Sequence, residues 1–169
     1  MKTVIYIAIV QALLGAFDTL YYHEFQQQLP RSQKAKRELR LHAFRDFAYA
    51  IIFITFGWFE LKGIFAFIFC GVILTEIVIT IWDFIEEDNT RKLPGGERAM
   101  HTIMAIIYGV LMTTLFPILK EWVQCKNEII VVSNGYLSWI MSFFAAAVFI
   151  SGIRDLVASF KLETKSRQG

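Results

Sequence analysis

Five apolar stretches dominate this chain, at about residues 4–22, 44–61, 63–85, 100–119 and 136–157. Each approaches the ~20 residues that a helix needs to cross a hydrocarbon core. Backbone in that phase must satisfy its own hydrogen bonds, which leaves helices or closed barrels. The runs are too long for barrel strands, so the sequence predicts an all-α polytopic membrane helical bundle with five transmembrane helices. The chain is 56% hydrophobic with 16 Phe, above the roughly 45–50% of a soluble domain. Only 3 Pro and 10 Gly leave little room for linkers, so residues 1–169 read as a single membrane domain. Cys70 and Cys125 have no ligand spacing, which argues against a disulfide framework or a zinc knuckle. The first apolar run lacks a small-residue cleavage site before Asp18 and reads as a retained helix rather than a signal peptide. The polar tail from Lys161 is expected to fray.

The basic residues set an expected orientation. Thirteen of the 17 Lys and Arg fall in the first turn region, in the connection around Arg91, Lys92 and Arg98, and at the C-terminal end. Lys2, Lys62, Lys120 and Lys126 fall on the other side. The N-terminus is therefore expected outside and the C-terminus in the cytoplasm. Leu61-Lys62-Gly63 reads as a tight turn between the second and third spans. The segment around Ile129–Val132 reads equally as a short strand or an interfacial stretch.

A polar pattern occurs twice on this apolar background. Gln11 and Asp18 precede Glu76 and Asp83 by 65 residues, and His23 precedes Glu87 by 64. Glu38 and His42 precede Glu97 and His101 by 59. The flanking apolar residues differ between the copies, whereas carboxylates and imidazoles stand at matched places. The pattern predicts two parallel helix-hairpin repeats, at about 4–61 and 63–119, plus a fifth helix at about 136–157 packed outside the four-helix core. All of the repeated polar residues then gather in one layer near the cytoplasmic face.

Carboxylates and imidazoles are the ligands of iron, manganese and zinc, and ionisable groups are costly inside a bilayer. Glu38 with His42, and Glu97 with His101, are spaced four apart and share a helix face. Asp83 and Glu87 are likewise four apart. Asp18 and His23 are five apart, about 140° on an ideal α-helix, so both face inward only where the helix distorts; Glu24 competes for the same role. Candidate metal ligands are thus Asp18, His23, Glu38, His42, Asp83, Glu87, Glu97 and His101. Gln11, Arg45, Asp46 and Glu76 are candidate supporting residues, with Gln11 the expected hydrogen-bond partner of the deep Glu76. Arg154-Asp155 reads as an interfacial anchor.

Over Gln11 to His101 the chain resembles the di-iron carboxylate four-helix-bundle proteins. Those take a lone carboxylate from each of two helices and Glu-x-x-His from each of the other two. Here the pairs are Glu-x-x-x-His and stand at the starts of their helices. The resemblance implies two metal ions, most simply iron, with zinc or manganese as alternatives. It also implies a metal-dependent membrane oxidoreductase acting on a lipid or other hydrophobic small molecule. A second chemistry is hydrolysis by zinc held by His23, His42 and His101, with Asp83 or Glu87 as base. A third reading is a non-enzymatic ion or proton carrier or scaffold subunit, which at this size would form a homo-oligomer. No nucleotide fingerprint and no nucleic-acid signature occurs, and with three His in total the chain is a poor match to the His-rich membrane hydroxylases and desaturases.

Overall fold

The computed structural model describes residues 1–168, and the side chains only of 1–164. Lys165 and Arg167, part of the charge bias above, lie outside the described side chains. The chain is all-helical apart from two short strands. Helix α1 (Lys2–Phe17) continues as a π-helical segment over Asp18–Gln26. Two 3₁₀ turns lead to α2 (Lys36–Trp58), β1 (Phe59–Lys62) and α3 (Ile64–Thr90). Then follow α4 (Gly95–Gln124), β2 (Glu128–Val131) and α5 (Tyr136–Gln168). The polar tail expected to fray from Lys161 is the end of α5, where Leu162 packs on Leu29, Ala35 and Leu39.

Among the described residues, four helical stretches are long and apolar enough to cross a membrane: Lys2–Gln26, Ile64–Thr90, Gly95–Gln124 and Tyr136–Thr164. They turn large apolar side chains outward, among them Leu13, Phe67, Ile106 and Phe143. Helix α2 differs, because it carries His42, Arg45 and Asp46 in its first half. It is also the central helix, burying Leu39, Ala43, Ala48, Ile52, Phe53 and Phe56.

Residue spacing explains the packing. The buried residues of α3 are Ala66, Phe69, Ile73, Glu76, Asp83 and Glu87, steps of three, four and seven that keep one face inward. That stripe is apolar at its start and acidic at its end. At the apolar end Phe56 meets Phe69 edge-to-face at 6.0 Å between ring centroids. Val4, Ile5, Leu111, Leu115, Leu137 and Met141 complete this part of the core.

Helix α5 is part of that core rather than an outer addition. A Cβ placed on Gly57 would lie 3.0 Å from the Met141 Cβ, and one on Gly152 would lie 3.0 Å from the Ala43 carbonyl oxygen. Small residues thus let the α2 and α5 backbones approach closely. The contact is pinned where Ser138 donates to the Gly57 carbonyl at 2.6 Å and Trp58 to the Ser142 hydroxyl at 2.7 Å.

The second apolar stretch does not stay helical to Leu61. Helix α2 stops at Trp58, and Phe59–Lys62 pairs antiparallel with Glu128–Val131, Phe59 opposite Val131 and Lys62 opposite Glu128. The pairing supplies partners for backbone groups that a tight turn at 61–63 would leave open. It also makes the segment around Ile129 a strand. Gly63 follows at φ +62°, where a Cβ would fall 2.1 Å from Asn127 Oδ1. That same oxygen accepts the Ile64 N–H at 2.9 Å and so caps α3.

Candidate metal centre

Four helix ends meet at the end of the bundle away from the strands: the ends of α1 and α3, and the starts of α2 and α4. Asp18, His23, Glu38, His42, Asp83, Glu87, Glu97 and His101 all lie there, and none is more than 8% exposed. The structure therefore brings all eight predicted residues together.

The π-helical segment solves the angular problem of Asp18 and His23. A π-helix bonds i→i+5 and stacks residues five apart, so both side chains are buried on one face. His23 Nε2 stands 3.4 Å from Asp18 Oδ2. The matching pair on α3, Asp83 and Glu87, reaches the same stacking with four residues in an ordinary α-turn. The one-residue slip between the two sequence copies falls at this wider turn. Glu24 points away and pairs with Arg154 at 2.8 Å, which removes it from the competition.

Among the described residues, two groups of donors have ligand atoms within 4.8 Å of one another: His23, Glu87, Glu97 and His101, and Glu38, His42 and Glu87. Glu87 belongs to both. Its Oε1 is 3.9 Å from His23 Nε2 and 3.8 Å from His42 Nε2, and its Oε2 is 3.5 Å from His101 Nδ1. His23 Nε2 is also 3.4 Å from Glu97 Oε1. Asp18 Oδ2 lies 3.3 Å from His101 Nε2, and Asp83 Oδ2 lies 3.1 Å from His42 Nε2. The imidazoles of His23 and His42 stack at 4.6 Å, while Phe84 stacks on His101 at 5.0 Å.

Several of these atoms have no hydrogen-bond partner although they are buried: Asp18 Oδ1, His23 Nδ1, Glu38 Oε2, Asp83 Oδ1 and Glu87 Oε2. A buried polar atom without a partner costs about 1–3 kcal/mol, and more when charged. The donor set fits divalent cations on this ground, since an ion satisfies carboxylate and imidazole lone pairs at once. Charge points the same way. Five carboxylates face two guanidiniums, Arg91 and Arg45, which leaves three negative charges when the histidines are neutral.

The sequence did not single out two members of the site. Arg91 follows α3 and contributes to the charge bias, yet its guanidinium reaches inward. It donates to Glu38 Oε1 at 2.9 Å and to Glu97 at 2.7 and 2.9 Å. These carboxylates hold its proton more tightly than usual. Asp155 on α5, read as half of an interfacial anchor, is 3% exposed. Its Oδ2 lies 3.9 Å from His42 Nδ1, and Arg154 holds its Oδ1 at 2.7 Å. A carboxylate behind a ligand imidazole orients the ring and raises its basicity. The available signal was helical spacing: Asp155 lies three residues after Gly152, which packs directly on α2.

The four supporting residues divide. Arg45 donates to Asp83 Oδ2 at 2.6 Å, and Asp46 lies beside Arg45 and Ser151. Glu76 sits further along α3 and takes hydrogen bonds from Thr80 at 2.7 Å and from the Tyr108 hydroxyl. Gln11 is not its partner, and Gln11 Oε1 has no partner at all.

No family model matches this chain, and no curated protein or solved structure matches it.

Proposed function

We propose that this chain is a membrane-embedded metalloprotein binding two divalent ions, and that it works as a di-iron oxidoreductase on a lipid-like substrate. The observation that carries this reading is Glu87. One buried carboxylate belongs to two separate donor groups, the place a bridging ligand takes. The π-helical segment after α1 gives Asp18 and His23, α3 gives Asp83 and Glu87, and α2 and α4 each give a Glu and a His. Iron in such a carboxylate-rich setting supplies dioxygen chemistry that amino-acid side chains lack, with electrons drawn from an external donor. The chain supplies ligands, the Asp155 carboxylate behind His42, and a dry surround.

In this reading α2 is the fifth span and the protein halves are parallel repeats, N-terminus outside. Its support is the pairing of helices: α1 packs mainly on α4, and α2, beyond its larger contact with α5, packs on α3, a pairing within the first four helices that survives exchange of the two halves. The donor grouping favours two ions over one zinc held by three histidines, since His42 groups apart from His23 and His101.

The test is elemental analysis by ICP-MS of detergent-purified wild type beside His42→Ala/His101→Ala. The expected result is two metal ions per chain in wild type, chiefly iron, and their loss in the double variant. One zinc per chain would move the reading to hydrolysis. A well-folded wild type without metal would overturn it and leave an ion- or proton-carrying layer.

A further inference from the structure

A cavity of about 590 Å³ opens beside the carboxylate–imidazole cluster and runs along the bundle toward Glu76. Its size suits a small-molecule site, about 300–1,000 Å³. Ala12, Phe53, Ile77, Phe84 and Phe144 make most of its wall apolar. Gly15, on the α1 wall, has nothing within 4 Å of where its Cβ would be.

The two ends of the cavity differ. At one end stand Asp18, which is part of the cluster, and Phe84, which stacks on His101. Arg45 also lines this end but is engaged with Asp83. At the other end Gln11, Tyr49, Glu76 and Tyr108 form a polar group. Thr80 and Tyr108 occupy the two Glu76 oxygens, and the Tyr49 hydroxyl lies beside Glu76 and Gln11. Gln11 Oε1 alone is left without a partner, on a side chain that is only 8% exposed.

We propose that this cavity binds a single-chain amphiphile whose polar end donates a hydrogen bond to Gln11 Oε1, a long-chain alcohol or N–H-bearing equivalent. This deepens the metal reading and rests on it for the chemistry, though not for the binding. An orphaned acceptor demands a donor, and the neighbouring Glu76 carboxylate disfavours an anionic headgroup. A fatty acid or a phosphate-bearing lipid is therefore a poor occupant at this end. Gln11 and Asp18 are seven residues apart on one helix, or about 10 Å. The polar end is held there while a carbon about that far down the chain lies at the cluster. Gln11 thus acts as a positioning residue that selects which carbon is presented.

The test uses three C16 photoaffinity probes with the same mid-chain diazirine: an alcohol, a carboxylate and a plain alkane. Each is crosslinked to protein in detergent with and without EDTA, and the labelled peptides are mapped by mass spectrometry. The alcohol is expected to label α1, α3 and α4 around the cavity, and to exceed the alkane and the carboxylate by about five- to tenfold, the worth of one hydrogen bond. Gln11→Met should remove the preference over the alkane while leaving alkane labelling and metal content unchanged. Gly15→Phe, which fills the open space, should abolish labelling by all three. Equal labelling by alcohol and alkane, or a preference for alcohol over alkane that survives Gln11→Met, would overturn the proposal and make the cavity a seat for lipid tails. Labelling is expected to persist in EDTA, so absence of metal would sink the enzyme reading without touching this one.

Discussion

The bundle buries carboxylates in two places and treats them in opposite ways. Glu76, deep in α3, has both oxygens taken by the hydroxyls of Thr80 and Tyr108. At the end of the same helix, Asp83 and Glu87 each keep an oxygen with no partner. The first site is closed by its own protein and the second is not. A buried carboxylate is therefore not by itself a sign of metal, even in a chain this apolar. The sign is a group of acids and imidazoles whose partners run out, because unfilled lone pairs at several kcal/mol of total cost call for a cation.

That contrast breaks first at Glu87. Glu87→Ala should lose both ions, since both donor groups share it, and should cost about 3–5 kcal/mol as buried charges lose a partner. ICP-MS and thermal unfolding in detergent check this; a variant retaining one full ion would show the two positions to be independent. Next in size is chelation of wild type. Removing ions present at about a hundredfold excess over Kd should withdraw about 2.7 kcal/mol per ion, read as a fall in Tm that added metal reverses. A Tm indifferent to chelator would place the cluster with Glu76, as a closed network. Asp155→Asn should weaken metal affinity about 10–100-fold, or about 1.4–2.7 kcal/mol, measured by competition with a metallochromic dye. An unchanged affinity would reduce Asp155 to a partner for Arg154. The smallest effect is expected at Glu76→Gln, which keeps most hydrogen bonds and should shift stability by about 1 kcal/mol with metal content untouched. Loss of metal there would erase the distinction between the two acid sites.

Much of the site was legible because helical spacing and apolar context together restrict where acids can point. Glu38 and His42, four apart at the head of α2, share a face whichever way the bundle closes. Glu97 and His101 do the same on α4. Arg91 was hidden because a basic residue in a connecting loop reads as an orientation signal, and only folding shows that it turns back onto Glu38 and Glu97. Asp155 was hidden because the expected place of α5 was wrong. The tight meeting of Gly57 and Gly152 with their neighbours is a packing event that the apolar pattern does not encode. The strand at Phe59–Lys62 escaped for a related reason: its partner lies more than 60 residues away, and local hydrophobicity alone favours continuing the helix.

The π-helical segment bears on how such a chain is compared with itself or with others. Its wider turn spends five residues, Asp18 to His23, on the rise that α3 covers with four. Asp18–His23 and Asp83–Glu87 are therefore equal in turns and unequal in length. An alignment that counts letters sets His23 against Asp88 and loses the correspondence with Glu87. One that counts turns keeps it. Deleting Thr19 would make the letters agree, and an ordinary α-turn would then hold the imidazole on the face of Asp18 as α3 holds Glu87 on the face of Asp83.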